Sequence, residues 1–269
     1  MFSSSILVVA HPDDEILWFS SIVDKVDEIL FCFCDYPALP ALGAGRKKVV
    51  AEYPLNNLTS LDIEESGSFS GADWNNPAES PSGMAITQGK EISERYQRNY
   101  HLLEELLAEK LRGYRNVFTH NPWGEYGHED HVQVYRAVGK LRQRHAFRLW
   151  FSNYSSNRSA KLMFRHISGF DTEYVSLQTN PALAQEIASL YKKHGCWTWY
   201  IDYRWFDEEC FIQDDSSDET EKGYGHLFPI NMLKTDFPTK PGKEPGRLSL
   251  AGEKIRRKLK RRFFTQNSG

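Results

Sequence analysis

The stretch Ile6-Leu-Val-Val-Ala10-His11-Pro-Asp-Asp-Glu15 lies close to the start of this chain of 269 residues. Its apolar half is typical of a strand that is buried on both faces of a parallel sheet. Pro12 favours an extended conformation in the residue before it and suits the first turn of a helix, and a helix dipole favours the three acids that follow. These residues therefore predict a strand, a tight turn and a helix.

Similar patterns recur along the chain. Further strands are predicted at Ile29–Cys34, Val117–His120 and Arg148–Ser152, and helices at about 92–111, from about 129 onward and at about 181–194. Strands that alternate with helices predict an α/β fold with a doubly wound, mainly parallel, Rossmann-like sheet and helices on both faces. Residues 64–89, rich in Ser, Gly, Pro and Asn, predict a long loop at the ligand-binding edge, and the pattern after residue 152 is less regular.

We predict one catalytic domain over residues 1–237, in which 155–237 line or cap the substrate site. Residues 238–269 are predicted to form a linker and a basic tail. Between Glu253 and Phe264 the tail has seven Lys and Arg, and Ile255, Leu259 and Phe263 recur every four residues. This pattern fits an amphipathic helix on an anionic membrane or a frayed soluble tail, and both alternatives stay open.

Composition excludes several classes of protein. A hydrophobic content of 40% can fill a core, which excludes general disorder. The net charge of −3 gives no overall cationic field, so we expect no nucleic-acid partner. No apolar run approaches the roughly 20 residues of a membrane span, and the N-terminus has no basic region of a signal peptide. We expect a cytoplasmic protein, with the cytoplasmic face of a membrane as the location that the tail suggests.

The four cysteines are too few to form a disulfide framework. Cys32 and Cys34 are separated by one residue in an apolar run, so we expect both thiols on one face of a strand, as buried small side chains. A Cys-x-Cys metal site is the weaker alternative, because there is no second pair with ligand spacing.

Polar side chains follow the first strand at the point where open α/β sheets hold ligands. His11, Asp13 and Asp14 are all able to bind a metal ion or to activate a water molecule bound to it. Asp13 and Asp14 are adjacent, so their side chains point in different directions, and one can coordinate a metal while the other faces its water as a base. An acid cluster at the start of a helix is the alternative explanation that needs no ligand.

A second cluster, His120-Asn-Pro-Trp-Gly-Glu-Tyr-Gly-His128-Glu-Asp-His131, also follows a strand and opens a helix. His128 and His131 share a helix face, and the ends of neighbouring parallel strands can bring them to the first cluster. We expect His120 to be a structural residue at the strand end. Bringing so many His and Asp side chains together without a cation is costly, so the two clusters predict a metal site.

The type of ligand indicates which metal ion the site would bind. Two imidazoles and one carboxylate suit Zn²⁺ and leave an open position for water, as in catalytic zinc sites. Fe²⁺ uses the same ligand count and stays open as an alternative, although the neighbouring free acid favours hydrolysis.

The two motifs resemble those of the PIG-L/LmbE-like N-acetylglucosaminyl deacetylases. The marks are an apolar strand that ends in Ala10-His-Pro-Asp-Asp-Glu15 and a later Gly127-His-Glu-Asp-His131, and the similarity covers roughly residues 5–155. The resemblance implies a zinc-dependent hydrolase that removes the acetyl group from an N-acetylated amino sugar and gives acetate and a free amine. The expected partner is a small molecule or glycoconjugate in which the sugar is nucleotide-, lipid- or glycan-linked.

The same resemblance implies the metal ligands and the base. Zinc would be held by His11, Asp14 and His131, and Asp13 would act as the general base.

It also implies three further catalytic residues. His128 would be the protonated partner near the tetrahedral intermediate and the leaving amine, and Asp130 would orient it. Tyr126 would polarise the amide carbonyl.

Substrate contacts are predicted at two positions. Family members usually carry Arg-x-x-Glu early in the helix after the second strand; Arg46 stands at this place, but the residue three positions on is Val49. A plain surface charge is therefore the alternative for Arg46. Trp123, in the loop before His128, is the candidate for a pocket wall. The aromatic residues of 197–206 would stack on a sugar or form a second small core.

Two other functions stay open. The same metal site could hydrolyse a different amide or an ester on a sugar or small metabolite. A non-catalytic module that binds sugar or nucleotide is the other alternative, but no glycine-rich phosphate loop follows the first strand.

Overall fold

The structure is a computed structural model that describes residues 2–170, 174–214 and 226–241. The predicted basic tail at 253–264 and most of the linker lie outside these ranges. Within the described part of the chain, no helix is long and apolar enough to cross a membrane.

A seven-stranded sheet forms the centre of the α/β fold, which confirms the predicted class. Its strands are β1 (Ser5–Val9), β2 (Glu28–Asp35), β3 (Leu58–Glu64), β6 (Asn116–Thr119), β7 (Arg148–Ser152), β9 (Tyr174–Gln178) and β10 (Glu208–Gln213). The order across the sheet is β3-β2-β1-β6-β7-β10-β9. The first five strands are parallel, whereas β10 and β9 extend the sheet in antiparallel pairings.

Helices lie between these strands, and they include those predicted at about 92–111, from about 129 and at about 181–194. They are α1 (Asp14–Trp18), α2 (Pro40–Ala51), α3 (Lys90–Lys110), α4 (Glu129–His145), α5 (Ala160–His166) and α6 (Pro181–Lys193). Four short strands form two separate pairs: β4 (Glu79–Ser80) with β5 (Gly83–Met84), and β8 (Tyr154–Ser156) with β11 (Asn231–Leu233).

The core lies on both faces of the sheet, and β1 contributes to both. Leu7 and Val9 pack in a cluster with α1 and α6, whereas Ile6 and Val8 pack in a cluster with α3 and α4. All four side chains are fully buried. The continuous apolar run of β1 is therefore explained by burial on two sides.

The prediction that Cys32 and Cys34 share one face of their strand is wrong. Cys32 packs with α3 and α4, whereas Cys34 packs on the opposite side of the sheet. The pairing of β2 with β3 shifts register between Phe31 and Phe33 and again between Phe33 and Asp35. Such an irregularity interrupts the alternation of side chains that a regular strand would show.

The two predicted polar clusters meet because β1 and β6 are adjacent and parallel, with Val8 opposite Thr119. The chain leaves both strands at the same edge of the sheet. There the backbone N–H of Ala10 donates a 2.8 Å hydrogen bond to Nε2 of His120.

Candidate active site

The predicted metal ligands converge on one carboxylate oxygen. Asp14 Oδ2 lies 3.3 Å from Nδ1 of His11 and 3.2 Å from Nε2 of His131. A tetrahedral ion with ligand bonds of about 2.0–2.1 Å requires ligand atoms about 3.3 Å apart. His131 Nε2 is also buried, and among the described residues it makes no hydrogen bond of good geometry although it lies within ion-pair distance of Asp14. Both distances are compatible with a bound divalent ion, and the buried groups here that could hold one include His11, His128 and His131, and Asp14, His120 and His131. We call the predicted ligands His11, Asp14 and His131 the metal-ligand cluster.

The charges around His11 favour a cation at this place. Burial alone would lower the pKa of His11, but the carboxylates of Glu65, Asp130 and Asp14 raise it to about 10. Burial would raise the pKa of Asp14, whereas His131, His11 and His120 hold it well below its usual value. The same negative charges would stabilise a divalent ion.

Glu125 orients His131 and was not predicted from the sequence. Its Oε2 accepts from Nδ1 of His131 at 2.7 Å and lies 3.0 Å from Nδ1 of His120. Burial would raise the pKa of Glu125, but His120 and His131 lower it to about 2. A carboxylate behind a ligating imidazole fixes the tautomer of the ring and makes it a better metal ligand. The sequence feature that could have indicated Glu125 is its place as an acid inside the second cluster, six residues before His131.

His120 is held as a structural residue, as the sequence predicts. Its Nε2 accepts the backbone N–H of Ala10, so Nδ1 carries the proton and donates to Glu125. Nε2 also lies 3.6 Å from Asp14 Oδ2, but its lone pair is already used. We therefore exclude His120 from the metal-ligand cluster.

The carboxylate of Asp130 contacts a different histidine from the one predicted. Its Oδ2 lies 3.2 Å from Nε2 of His11, and its Oδ1 accepts from the hydroxyl of Ser68 at 2.7 Å. The backbone N–H of Asp130 donates to Nδ1 of His128 at 3.1 Å. The expectation that the Asp130 side chain orients His128 is thus corrected: the carboxylate positions His11, and the backbone positions His128.

His128 is the N-cap of α4, where an extended backbone lets the ring accept the N–H of Asp130. Because Nδ1 accepts, the neutral ring carries its proton on Nε2. Burial and the neighbouring His11 and His131 lower the pKa of His128 well below its usual value. A neutral ring of this kind donates through Nε2, and the protonated state near the reaction intermediate stays a prediction. The ring of Phe69 stacks on it at 4.8 Å between centroids.

Asp13 adopts a backbone conformation that non-glycine residues rarely adopt, with φ of 99°. Such left-handed geometry costs on the order of 1–3 kcal/mol and is concentrated at functional sites. Burial and the charge of Asp14 raise the pKa of Asp13 to about 7, although hydrogen bonds from Thr198 oppose the shift. A carboxylate whose pKa is raised accepts a proton more readily, which suits the predicted role of general base.

Tyr126 lies against the histidines. Its ring is 5.3 Å from that of His131 and 5.6 Å from that of His128. Burial and the charges of Asp14 and Asp13 hold the pKa of Tyr126 well above its usual value, so its hydroxyl keeps its proton. Among the described residues, nothing accepts a hydrogen bond from this hydroxyl.

Arg46 is buried and forms an ion pair with Glu65, which lies 3.9 Å from Nε2 of His11. The alternative of a plain surface charge is therefore wrong. The guanidinium has the carboxylate of Glu65 as its partner, and its predicted contact with substrate stays a prediction. Arg46 contributes positive charge beside Asp13, whose pKa it lowers.

Trp123 belongs to the core. It is fully buried, its ring packs edge-on against Phe151 at 5.7 Å, and its indole N–H donates to the carbonyl of Tyr154 at 2.7 Å. The prediction of a pocket wall is replaced by this packing role.

The predicted long loop is held over the site by Glu129, another residue that sequence reasoning missed. Its carboxylate accepts the backbone N–H groups of Ser70 and Ala72 and the indole N–H of Trp74. Arg158, fully buried, lies 3.5 Å from the same carboxylate. We call residues 68–74 the clamped loop.

The aromatic stretch 197–206 contributes to the core, and its stacking on a sugar stays a prediction. Trp199 is buried and packs on Trp18, and thus contributes to the core. It also contacts Tyr126, with 4.7 Å between centroids, beside the histidines. Phe237 packs on both Tyr126 and Trp199, so aromatic rings form one side of the candidate site.

No family model matches this chain, and no curated protein matches it. Several solved structures are similar in fold. One is a complex of a deacetylase with teicoplanin from the biosynthesis pathway of teicoplanin, with 11% identity, a TM-score of 0.46 and coverage of 78% of this chain and 99% of that one. A second is an A40926 pseudoaglycone deacetylase, with 11% identity, a TM-score of 0.49 and coverage of 81% and 100%. A third is the zinc-inhibited form of teicoplanin deacetylase, with 11% identity, a TM-score of 0.46 and coverage of 78% and 99%. At these values we draw neither activity nor substrate from the similarity.

Proposed function

We propose that this protein is a metal-dependent hydrolase that removes the acetyl group from an N-acetylated amino sugar. The observation that carries the proposal is the metal-ligand cluster with Asp13 beside it. His131 Nε2 is buried and lies 3.2 Å from Asp14 Oδ2, and Asp13, the buried acid next to Asp14 in sequence, is held by Thr198 through its Oδ2. The choice of an amino sugar rests on the resemblance of the two motifs, 10–15 and 127–131.

His11, Asp14 and His131 would hold the ion, which when bound supplies Lewis acidity for water and for the amide carbonyl. Asp13 accepts the proton of the attacking water through its free oxygen Oδ1. A C–O bond then forms, and negative charge develops on the former carbonyl oxygen. The hydroxyl of Tyr126 and Nε2–H of His128 are the donors for that oxygen. When the C–N bond breaks, the proton held by Asp13 is available to the leaving amine, so acetate and a free amine result.

Asp13→Ala tests the assigned base. We expect acetate release to fall by about 10²–10⁴-fold, the usual contribution of general acid–base catalysis. Zinc content, measured by elemental analysis, should stay unchanged, because Asp13 is not a member of the metal-ligand cluster. Asp24→Ala removes an exposed carboxylate of the same type and serves as the matched control. Acetate release by D13A close to the wild-type rate would show that the base is assigned wrongly.

The substrate class is tested by screening the zinc-loaded protein against N-acetyl sugars and the matching O-acetyl sugars. Amine formation from the N-acetyl series alone supports the proposal. Turnover of the O-acetyl series alone would replace it with esterase activity at the same site.

A further inference from the structure

Thr198 contacts Asp13 from a distant part of the chain. It lies in the turn that follows α6, 185 residues from Asp13. Its hydroxyl donates to Asp13 Oδ2 at 2.6 Å, and its backbone N–H donates to the same oxygen at 3.2 Å. In the described ranges no group donates to Oδ1 of Asp13. Two donors thus hold one oxygen of the carboxylate and leave the other available.

The turn that carries Thr198 is fixed by its neighbours. The backbone N–H of Cys196 donates to the carbonyl of Tyr191 at 3.0 Å. A Cβ on Gly45 of α2 would lie only 2.6 Å from the carbonyl oxygen of His194, so α2 approaches this turn more closely than any side chain would permit. Trp199 packs edge-on against Trp18 of α1, with 5.0 Å between the centroids. Contacts on both sides of Thr198, which is itself exposed, thus place it beside Asp13.

We infer that Thr198 is a positioning residue for the general base: it holds Oδ2 of Asp13 so that Oδ1 faces the attacking water. The inference rests on the proposed function, because it assigns a partner to the base of that reaction. No step of the chemistry passes through Thr198 itself.

The test compares T198V, T198A and T198S in the zinc-loaded, full-length protein. The probes are N-acetylglucosamine, its 1-phosphate, a nucleoside-diphosphate-linked form and an alkyl N-acetylglucosaminide. In T198V and T198A we expect kcat for acetate release to fall about 10- to 100-fold, the effect of a misplaced catalytic group, while KM changes less than about threefold. T198S keeps the hydroxyl and should restore kcat to within about threefold of wild type. Zinc content should be equal in all four proteins.

Thr179→Val is the matched control, because the hydroxyl of Thr179 makes a 2.6 Å hydrogen bond to the carbonyl of Phe206 and none to the site. Crystal structures of wild type and T198V give a readout that does not depend on activity. We expect the Asp13 carboxylate to be rotated in the variant.

The outcomes separate the two proposals. A wild-type protein that releases no acetate from any probe would overturn the proposed function, and the role of Thr198 with it. Wild-type turnover together with unchanged kcat in T198V and T198A would overturn the role of Thr198 alone. The same holds if T198S loses as much activity as T198V, or if the wild-type crystal structure places Thr198 out of hydrogen-bond reach of Asp13.

Discussion

At the scale of single residues, the binding of a metal should depend on a side chain that does not touch it. Glu125 accepts from Nδ1 of His131 and holds Nε2 toward Asp14. Replacing such a carboxylate typically weakens metal affinity about 10- to 100-fold, because the ring loses its fixed tautomer and part of its basicity. We therefore expect Glu125→Gln to weaken zinc binding by this amount, measured by calorimetric titration of the chelator-stripped protein.

Glu94→Gln, at an exposed position of α3, is the control for the change in charge. Equal zinc affinity of E125Q and wild type would contradict the orienting role of Glu125. Zinc content of the isolated protein, measured without any substrate, checks the same point independently of turnover.

The residues that were found from the sequence lie in short local motifs, whereas those that were missed reach the site only through tertiary packing. His11, Asp13 and Asp14 follow one strand directly, and His131 lies in a compact motif after the neighbouring strand, so local pattern and sheet topology suffice to bring them together. Thr198 reaches Asp13 only through the packing of a turn against α1 and α2, which no local pattern records. The hydrogen-bond partner of Asp130 was wrong for a similar reason: backbone direction at the start of α4 decides which of two histidines the carboxylate meets.

At the scale of elements, strands with an apolar run on both faces were predictable and the others were not. β3 reads Leu-Thr-Ser-Leu-Asp-Ile-Glu, lies at one end of the sheet and has mostly half-exposed side chains. β9 lies at the opposite end and is likewise mostly exposed or half-buried. Because an edge strand is covered on fewer sides, its composition differs little from that of a loop.

The clamped loop should depend on one carboxylate at the first residue of α4. Glu129 accepts the N–H groups of Ser70 and Ala72 at 3.2 and 3.0 Å and the indole N–H of Trp74 at 2.9 Å. Glu129→Gln removes the charge and replaces one accepting oxygen by a donor. Since a hydrogen bond to a charged group contributes about 1.5–3 kcal/mol, the amides of residues 70 and 72 should exchange at least about tenfold faster.

Hydrogen exchange followed by mass spectrometry measures this effect on the peptide that covers residues 68–74. Glu91→Gln, in the exposed first turn of α3, changes the same charge and should leave this peptide unaffected. Unchanged protection in E129Q would mean that other contacts hold the loop.

At the scale of the whole molecule, acid stability should depend on Glu28, which joins parts of the fold that are far apart in sequence. Its carboxylate forms an ion pair with Lys110 at the end of α3, accepts from Tyr114 at 2.6 Å, and accepts from Thr59 of β3. Burial would raise the pKa of Glu28, but these partners lower it below its ordinary value of 4.5.

The direction in which the contribution of Glu28 to stability changes with pH follows from proton uptake by the folded and the unfolded chain. As the pH falls, the unfolded chain protonates this group near pH 4.5, whereas the folded chain does so at lower pH. Between the two values the unfolded state binds more protons, so the contribution of Glu28 to the free energy of unfolding decreases as the pH falls.

Glu28→Gln removes the titrating group. With a contribution of about 1 kcal/mol at neutral pH, the Tm of E28Q should lie about 2–4 °C below that of wild type, and this gap should close below pH 4.5. Thermal unfolding between pH 3 and 7 measures it, with the exposed Glu105→Gln on α3 as the control. A gap that stays constant over this range would show that Glu28 stabilises the fold through packing and not through its charge.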